Sequence, residues 1–143
     1  METLAVIWFC SALVAKSLEA EITASRAEVV SSEGSKLHLS CNYSVKAHNL
    51  QWYRQDPGSA PRVLLLITDT KEPTVVEGEH PNPRLTAELN EERNRLDLLI
   101  SSAAATDSAV YYCALQNTGG YSKVLFGDGT RITIEPKEQH KPE

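Results

Sequence analysis

Asp107-Ser108-Ala109-Val110-Tyr111-Tyr112-Cys113 and, earlier in the chain, Leu37-His38-Leu39-Ser40-Cys41 decide the fold. In the earlier stretch Leu37, Leu39 and Cys41 share one face, the period-2 pattern of a half-buried strand. In the later one Tyr111 and Cys113 share a face and Tyr112 takes the other, because neighbouring side chains alternate across a strand. The two cysteines stand 72 positions apart, and Trp52 follows the first by 11. Working outward, Val63-Leu64-Leu65-Leu66-Ile67 is a short apolar run behind the turn Asp56-Pro57-Gly58-Ser59. Leu96, Leu98 and Ile100 alternate, a turn or brief helical corner follows over 103–107, and a last strand is expected over 124–134. Short strands separated by turn signals predict an all-β chain.

These motifs resemble the T-cell receptor alpha-type variable domain with its joining segment. The resemblance rests on Trp52-Tyr53-Arg54-Gln55, on Asp107 through Cys113 with Ala114, and on Phe126-Gly127-Asp128-Gly129-Thr130-Arg131-Ile132-Thr133-Ile134, and it spans about residues 22–135. It implies an immunoglobulin V-type Greek-key sandwich of two antiparallel sheets. An inter-sheet disulfide between Cys41 and Cys113 would lie under the Trp52 indole, with Tyr111 as the tyrosine corner. It also implies a salt bridge from Arg84, at the start of strand D, to Asp107 in the E to F turn. A delta-type chain and an immunoglobulin light chain share parts of this pattern and stay as alternatives. A heavy chain resembles it less, since its joining motif starts with tryptophan where this chain has Phe126. A non-rearranging adhesion domain is a further alternative.

Length and charge agree with one such domain. The chain has 143 residues and a net charge of -5. Without residues 1–20, which hold Glu2, Lys16 and Glu19, the balance is 13 basic to 17 acidic residues, net -4. That balance argues against a nucleic-acid partner. Residues 4–15 form an apolar run of the length of a signal-peptide core and too short to span a bilayer. The expected organisation is a signal peptide over 1–20, cleaved after Ser17 or Ala20, a V-type domain over 21–135 and a linker tail over 136–143. Cys10 leaves with the leader, so an even pair of cysteines remains, as an oxidising secretory route requires. The expected location is the extracellular side of the plasma membrane.

No catalytic pattern is present. His38, His48, His80 and His140 lack metal-ligand spacing, and Gly127-Asp128-Gly129 lacks the strand-turn-helix setting of a phosphate cradle. No enzyme activity, cofactor or metal is expected. Function is expected on surfaces instead. Parity turns Tyr53, Gln55 and Tyr112 outward; the resemblance adds Pro61, Val63 and Phe126 to them and assigns this face to a beta-type partner chain. Three loops, over 42–49, 68–73 and 114–125, would meet antigen, a peptide on a histocompatibility molecule. Their expected contacts are Lys46, His48 and Asn49; Asp69, Thr70 and Lys71; and Gln116, Asn117, Thr118, Gly119, Gly120 and Tyr121. The third loop is small and polar with one aromatic anchor, as in antigen-binding loops, and its place between Cys113-Ala114-Leu115 and the joining-type run suggests a rearranged receptor. Signalling subunits would attach through segments outside this chain. Asn42-Tyr43-Ser44 is an N-glycosylation acceptor.

Overall fold

A computed structural model describes residues 21–117 and 123–137. The expected signal peptide, the tail beyond Lys137, and Thr118, Gly119, Gly120 and Tyr121 lie outside the described residues. The alternating stretches become two sheets. In the first, β1 (Ile22–Ala24) pairs with β3 (Leu37–Tyr43), β3 with β8 (Arg95–Ile100), and β8 with β7 (Leu85–Leu89), all antiparallel. The second sheet runs β2 (Glu28–Ser32), β11 (Thr130–Glu135), β9 (Ala109–Asn117), β4 (Ala47–Gln55), β5 (Arg62–Thr68), β6 (Val75–Glu77), with β10 (Val124–Phe126) also on β9.

One pairing within the second sheet is parallel: β2 runs in the same direction as β11. The described residues enter the first sheet as β1, leave it after Ala24 and enter the second as β2. The same N-terminal stretch thus serves both layers, and its second half must accept whatever direction β11 already has.

The layers meet over a core that the alternation foretold. Leu37, Leu39 and Cys41 point in from β3, Leu96, Leu98 and Ile100 from β8, and Leu50 and Trp52 from β4, all buried. Cys41 and Cys113 form the disulfide, with Cα atoms 6.5 Å apart. Trp52 lies opposite Cys113 in the β4–β9 ladder, and its indole N–H donates to the Asp97 carbonyl at 3.3 Å. A buried indole needs such an acceptor, since an unpaired donor there carries a desolvation cost.

Two departures from ladder regularity matter for the surface. Trp52 faces Leu65 and Tyr53 faces Val63, so Leu64 is an extra residue, a β-bulge, and both Leu64 and Leu65 are buried. Near the other end of β4, Ala47 faces Asn117 and Asn49 faces Gln116, which leaves His48 unmatched and exposed.

The last strand divides at Gly127, where the expected run over 124–134 separates into β10 and β11. A Cβ on Gly127 would stand 2.9 Å from Cys113 Sγ, so the backbone can approach the disulfide only without a side chain. Gly127→Ala is expected to destabilise the domain by about 1–3 kcal/mol. Urea unfolding would read this as a lower midpoint at unchanged slope.

Candidate functional site

Tyr53, Tyr112 and Gln55 reach the outer face of the second sheet because Trp52, Tyr111 and Cys113 occupy its inner face. There the Tyr53 ring meets Phe126, centroids 4.9 Å apart and planes tilted by 54°. Tilted aromatic pairs of this kind contribute about 0.5–1.5 kcal/mol beyond area burial. Phe126 nevertheless stays 52% exposed, and Val63 40%. Pro61 is exposed beside them, and Tyr112 and Gln55 are half-buried. The Tyr112 hydroxyl donates to Gln55 Oε1 at 3.2 Å, and Gln55 Nε2 donates to the Ser59 carbonyl at 2.9 Å. The amide is therefore held in one orientation. The face is apolar at its centre with oriented polar groups beside it, the anatomy of a protein interface.

The loop end differs from the sequence reading at several positions. β3 continues through Asn42 to Tyr43 and β4 starts at Ala47, so the first connection is only 44–46 instead of 42–49. Lys46 and His48 are exposed there. Asn49 is a correction: it is 6% exposed, inside the β4 ladder between Thr68 and Gln116, and cannot reach out. Gln116 and Asn117 also belong to strand, on the half-buried stem of the third loop, with the Asn117 N–H donating to the Lys123 carbonyl at 3.1 Å. In the second loop Thr70 and Lys71 are exposed. Asp69 is instead tied to Arg93 at 2.9 Å and largely covered, so its carboxylate is not offered outward. Burial, and next the Asp69 charge, pushes the neighbouring Tyr43 phenol up to about 12. Asn42 is exposed in β3, between Thr23 and Arg95 of the flanking strands.

One connected set was missed by the sequence reading. The Tyr53 hydroxyl donates to Gln51 Oε1 at 2.5 Å, Gln51 Nε2 to Asn49 Oδ1 at 2.9 Å, and Asn49 Nδ2 to Gln116 Oε1 at 2.8 Å. The signal was present in the spacing, since Asn49, Gln51 and Tyr53 alternate on the same strand face.

At the opposite end, Arg84 grips Asp107 with two bonds of 2.8 and 2.9 Å. Asp107 ends a 3-10 helix, Ala105–Asp107, and its Oδ2 also accepts the Ala104 N–H at 2.8 Å. Its carbonyl accepts the Tyr111 hydroxyl at 2.7 Å, closing the tyrosine corner. Arg54 completes the set, donating to the Thr106 carbonyl and standing 4.0 Å from Asp107. Burial would push the Asp107 carboxyl up, but the Arg84 bonds and the Ala104 N–H outweigh it and hold the group below the usual carboxylate range.

Ser40, His38 and Asp97 also cluster, on the outer face of the first sheet. Asp97 accepts Ser40 at 2.7 Å and sits 3.2 Å from His38, with Arg95 at 3.1 Å. The hydroxyl proton thus goes to the carboxylate and not to the imidazole, which is not the order a nucleophile requires. Among the described residues no group of three His, Cys, Asp or Glu is placed to hold a metal.

The chain has relatives among known proteins. The immunoglobulin V-set domain family matches residues 24–135. The mouse T-cell receptor alpha chain V region CTL-F3 is 38% identical over 117 residues, 80% of this chain and 82% of that one. The rabbit T-cell receptor alpha chain V region RL-5 is 35% identical over 117 residues, covering 81% and 82% of the two chains. The mouse T-cell receptor beta chain V region C5 is 32% identical over 125 residues, covering 85% and 98%. Such matches run through both sheets and the joining-type strand, so this chain is an immunoglobulin V-set domain and belongs to the T-cell receptor variable regions, a family of receptors and not of enzymes.

Proposed function

We propose that this domain is the antigen-reading part of an alpha-type chain, paired with a beta-type variable domain and directed at peptide on a histocompatibility molecule. The observation that carries the pairing is the half-exposed Tyr53–Phe126 pair with Val63 beside it on one sheet face. Apolar area of that kind, next to oriented Tyr112 and Gln55, suits a partner domain better than water. The alpha assignment is supported by the alpha V regions among the relatives, CTL-F3 and RL-5. The beta relative, C5, is what favours a second reading, in which the same face serves a beta-type chain.

Antigen contact falls to the exposed positions Lys46, His48, Thr70 and Lys71 and to residues 118–121 of the third loop. The domain works on the extracellular side of the plasma membrane, with signalling subunits reached through other segments of the receptor. Asn42, exposed on the first sheet, is the position proposed for a glycan.

Co-expression tests this. The domain should form a one-to-one complex with a beta-type chain, and Phe126→Asp should weaken it by roughly 30-fold or more, the effect of losing a central aromatic anchor. The melting temperature of the isolated domain should fall by no more than about 2–8 °C, the loss of the Tyr53 ring contact alone. Unchanged pairing in the variant, or preference for an antibody heavy chain, would overturn the assignment.

A further inference from the structure

We infer that Asn49 and Gln51 are positioning residues that couple the partner-facing sheet surface to the base of the third loop, through the hydrogen-bonded series Tyr53, Gln51, Asn49, Gln116. The inference rests on the proposed roles of that surface and that loop. The series itself is independent of them.

Both amides are buried, Asn49 at 6% and Gln51 at 7% exposure, on the face of β4 that points away from the core. A strand face that only packed could use leucine or valine there. Buried amides instead demand partners, and these find them in each other, so each fixes the orientation of the next. The donors all point one way: hydroxyl to Gln51, Gln51 to Asn49, Asn49 to Gln116. Ala114 makes the path possible. It lies opposite Gln51 on one side and Phe126 on the other, fully buried, and a larger side chain would occupy the space the Gln51 amide uses.

The two ends of the series are the two surfaces. Tyr53 stacks on Phe126, so a partner pressing on that ring pair acts on the hydroxyl that holds Gln51. Gln116 lies opposite both Asn49 and Val124, one residue before the Asn117 N–H that closes the loop on Lys123. A change in the ring position therefore alters which rotamer Gln51 must take to keep its bonds, and through Asn49 the change reaches the loop stem. Packing alone would spread such a change in all directions. Directed bonds confine it to one row.

Nuclear magnetic resonance of the isolated, isotope-labelled domain tests this without any partner. Tyr53→Phe keeps the ring on Phe126 and removes only the hydroxyl. The carboxamide signals of Gln51, Asn49 and Gln116 should all move, and amide exchange at Asn117 should rise by roughly tenfold, the effect of a bond left unmade. Leu39 and Leu98, in the other sheet, should be unaffected. A change that stops at Gln51 overturns the inference. Gln51→Leu, which severs the row at its second member, should give the same response at Gln116 and Asn117, and a silent stem in that variant also overturns it. Adding a beta-type domain then probes the coupling: the Gln116 carboxamide should move in the wild type and much less in Tyr53→Phe. Equal movement in both would show another route. Failure to pair at all would count against the proposed function and leave the partner-free result standing.

Discussion

Asp107→Ala is expected to cost about 3–5 kcal/mol of stability, the effect of removing one member of a buried ion pair. The carboxylate is 2% exposed and serves four groups at once, the two Arg84 nitrogens, the Ala104 N–H and the nearby Arg54. Its loss leaves the Arg84 guanidinium without its ion partner and a backbone donor unmet. Arg84→Ala should cost less, because Arg84 is about one-third exposed and Arg54 still balances the carboxylate. A pH series separates charge from packing. The folded carboxyl lies below its unfolded range, near 3.9, so its contribution is complete above that value and disappears as pH falls through the folded one. Asp107→Asn should therefore show a flatter fall in stability below about pH 4 than the wild type. Urea midpoints between pH 2 and 7 would check it, and a parallel fall in the two proteins would refute it.

Cys113→Ala is the second large effect. The bridge closes a loop of 72 positions, which the chain-entropy estimate values at about 4–5 kcal/mol, against about 5–15 kcal/mol for a whole domain. Cys113 is fully buried between the sheets, so the variant also leaves unfilled volume beside Trp52 and Leu115. The expected result is a domain near half unfolded at 37 °C and secreted at well under a tenth of the wild-type level. Cys41→Ala should match it, since both remove the same bridge. Near-normal secretion of either variant would show that Trp52 and its neighbours hold the layers without the bridge.

The core was legible because its signals are periodic. Leu37, Leu39 and Cys41 alternate inward in the sequence and are buried in β3, and Tyr53 turns outward because Trp52 turns inward. What was not legible depends on neighbours in space. Asn49 reads as a polar loop residue, yet pairing with β5 and β9 carries it into strand and Gln51 and Gln116 satisfy its amide. Low strand propensity yields to tertiary pairing in such cases. Asp69 likewise reads as a free loop charge until Arg93, 24 positions later, is placed beside it. The parallel β2 could not be read because direction relative to β11 is set by where the chain crosses between layers. His48 is exposed where strict alternation would bury it, since one extra residue locally resets the phase.

The extra residue at Leu64 has a mechanical result. A bulge bends its strand and tightens the local right-handed twist. The surface holding Tyr53 and Val63 is accordingly saddle-shaped. A planar sheet of identical chemistry would touch it along one diagonal and leave the other wet. For the proposed pairing, a domain warped in the same sense would bring Phe126 and Val63 out of water together more completely than a flat one.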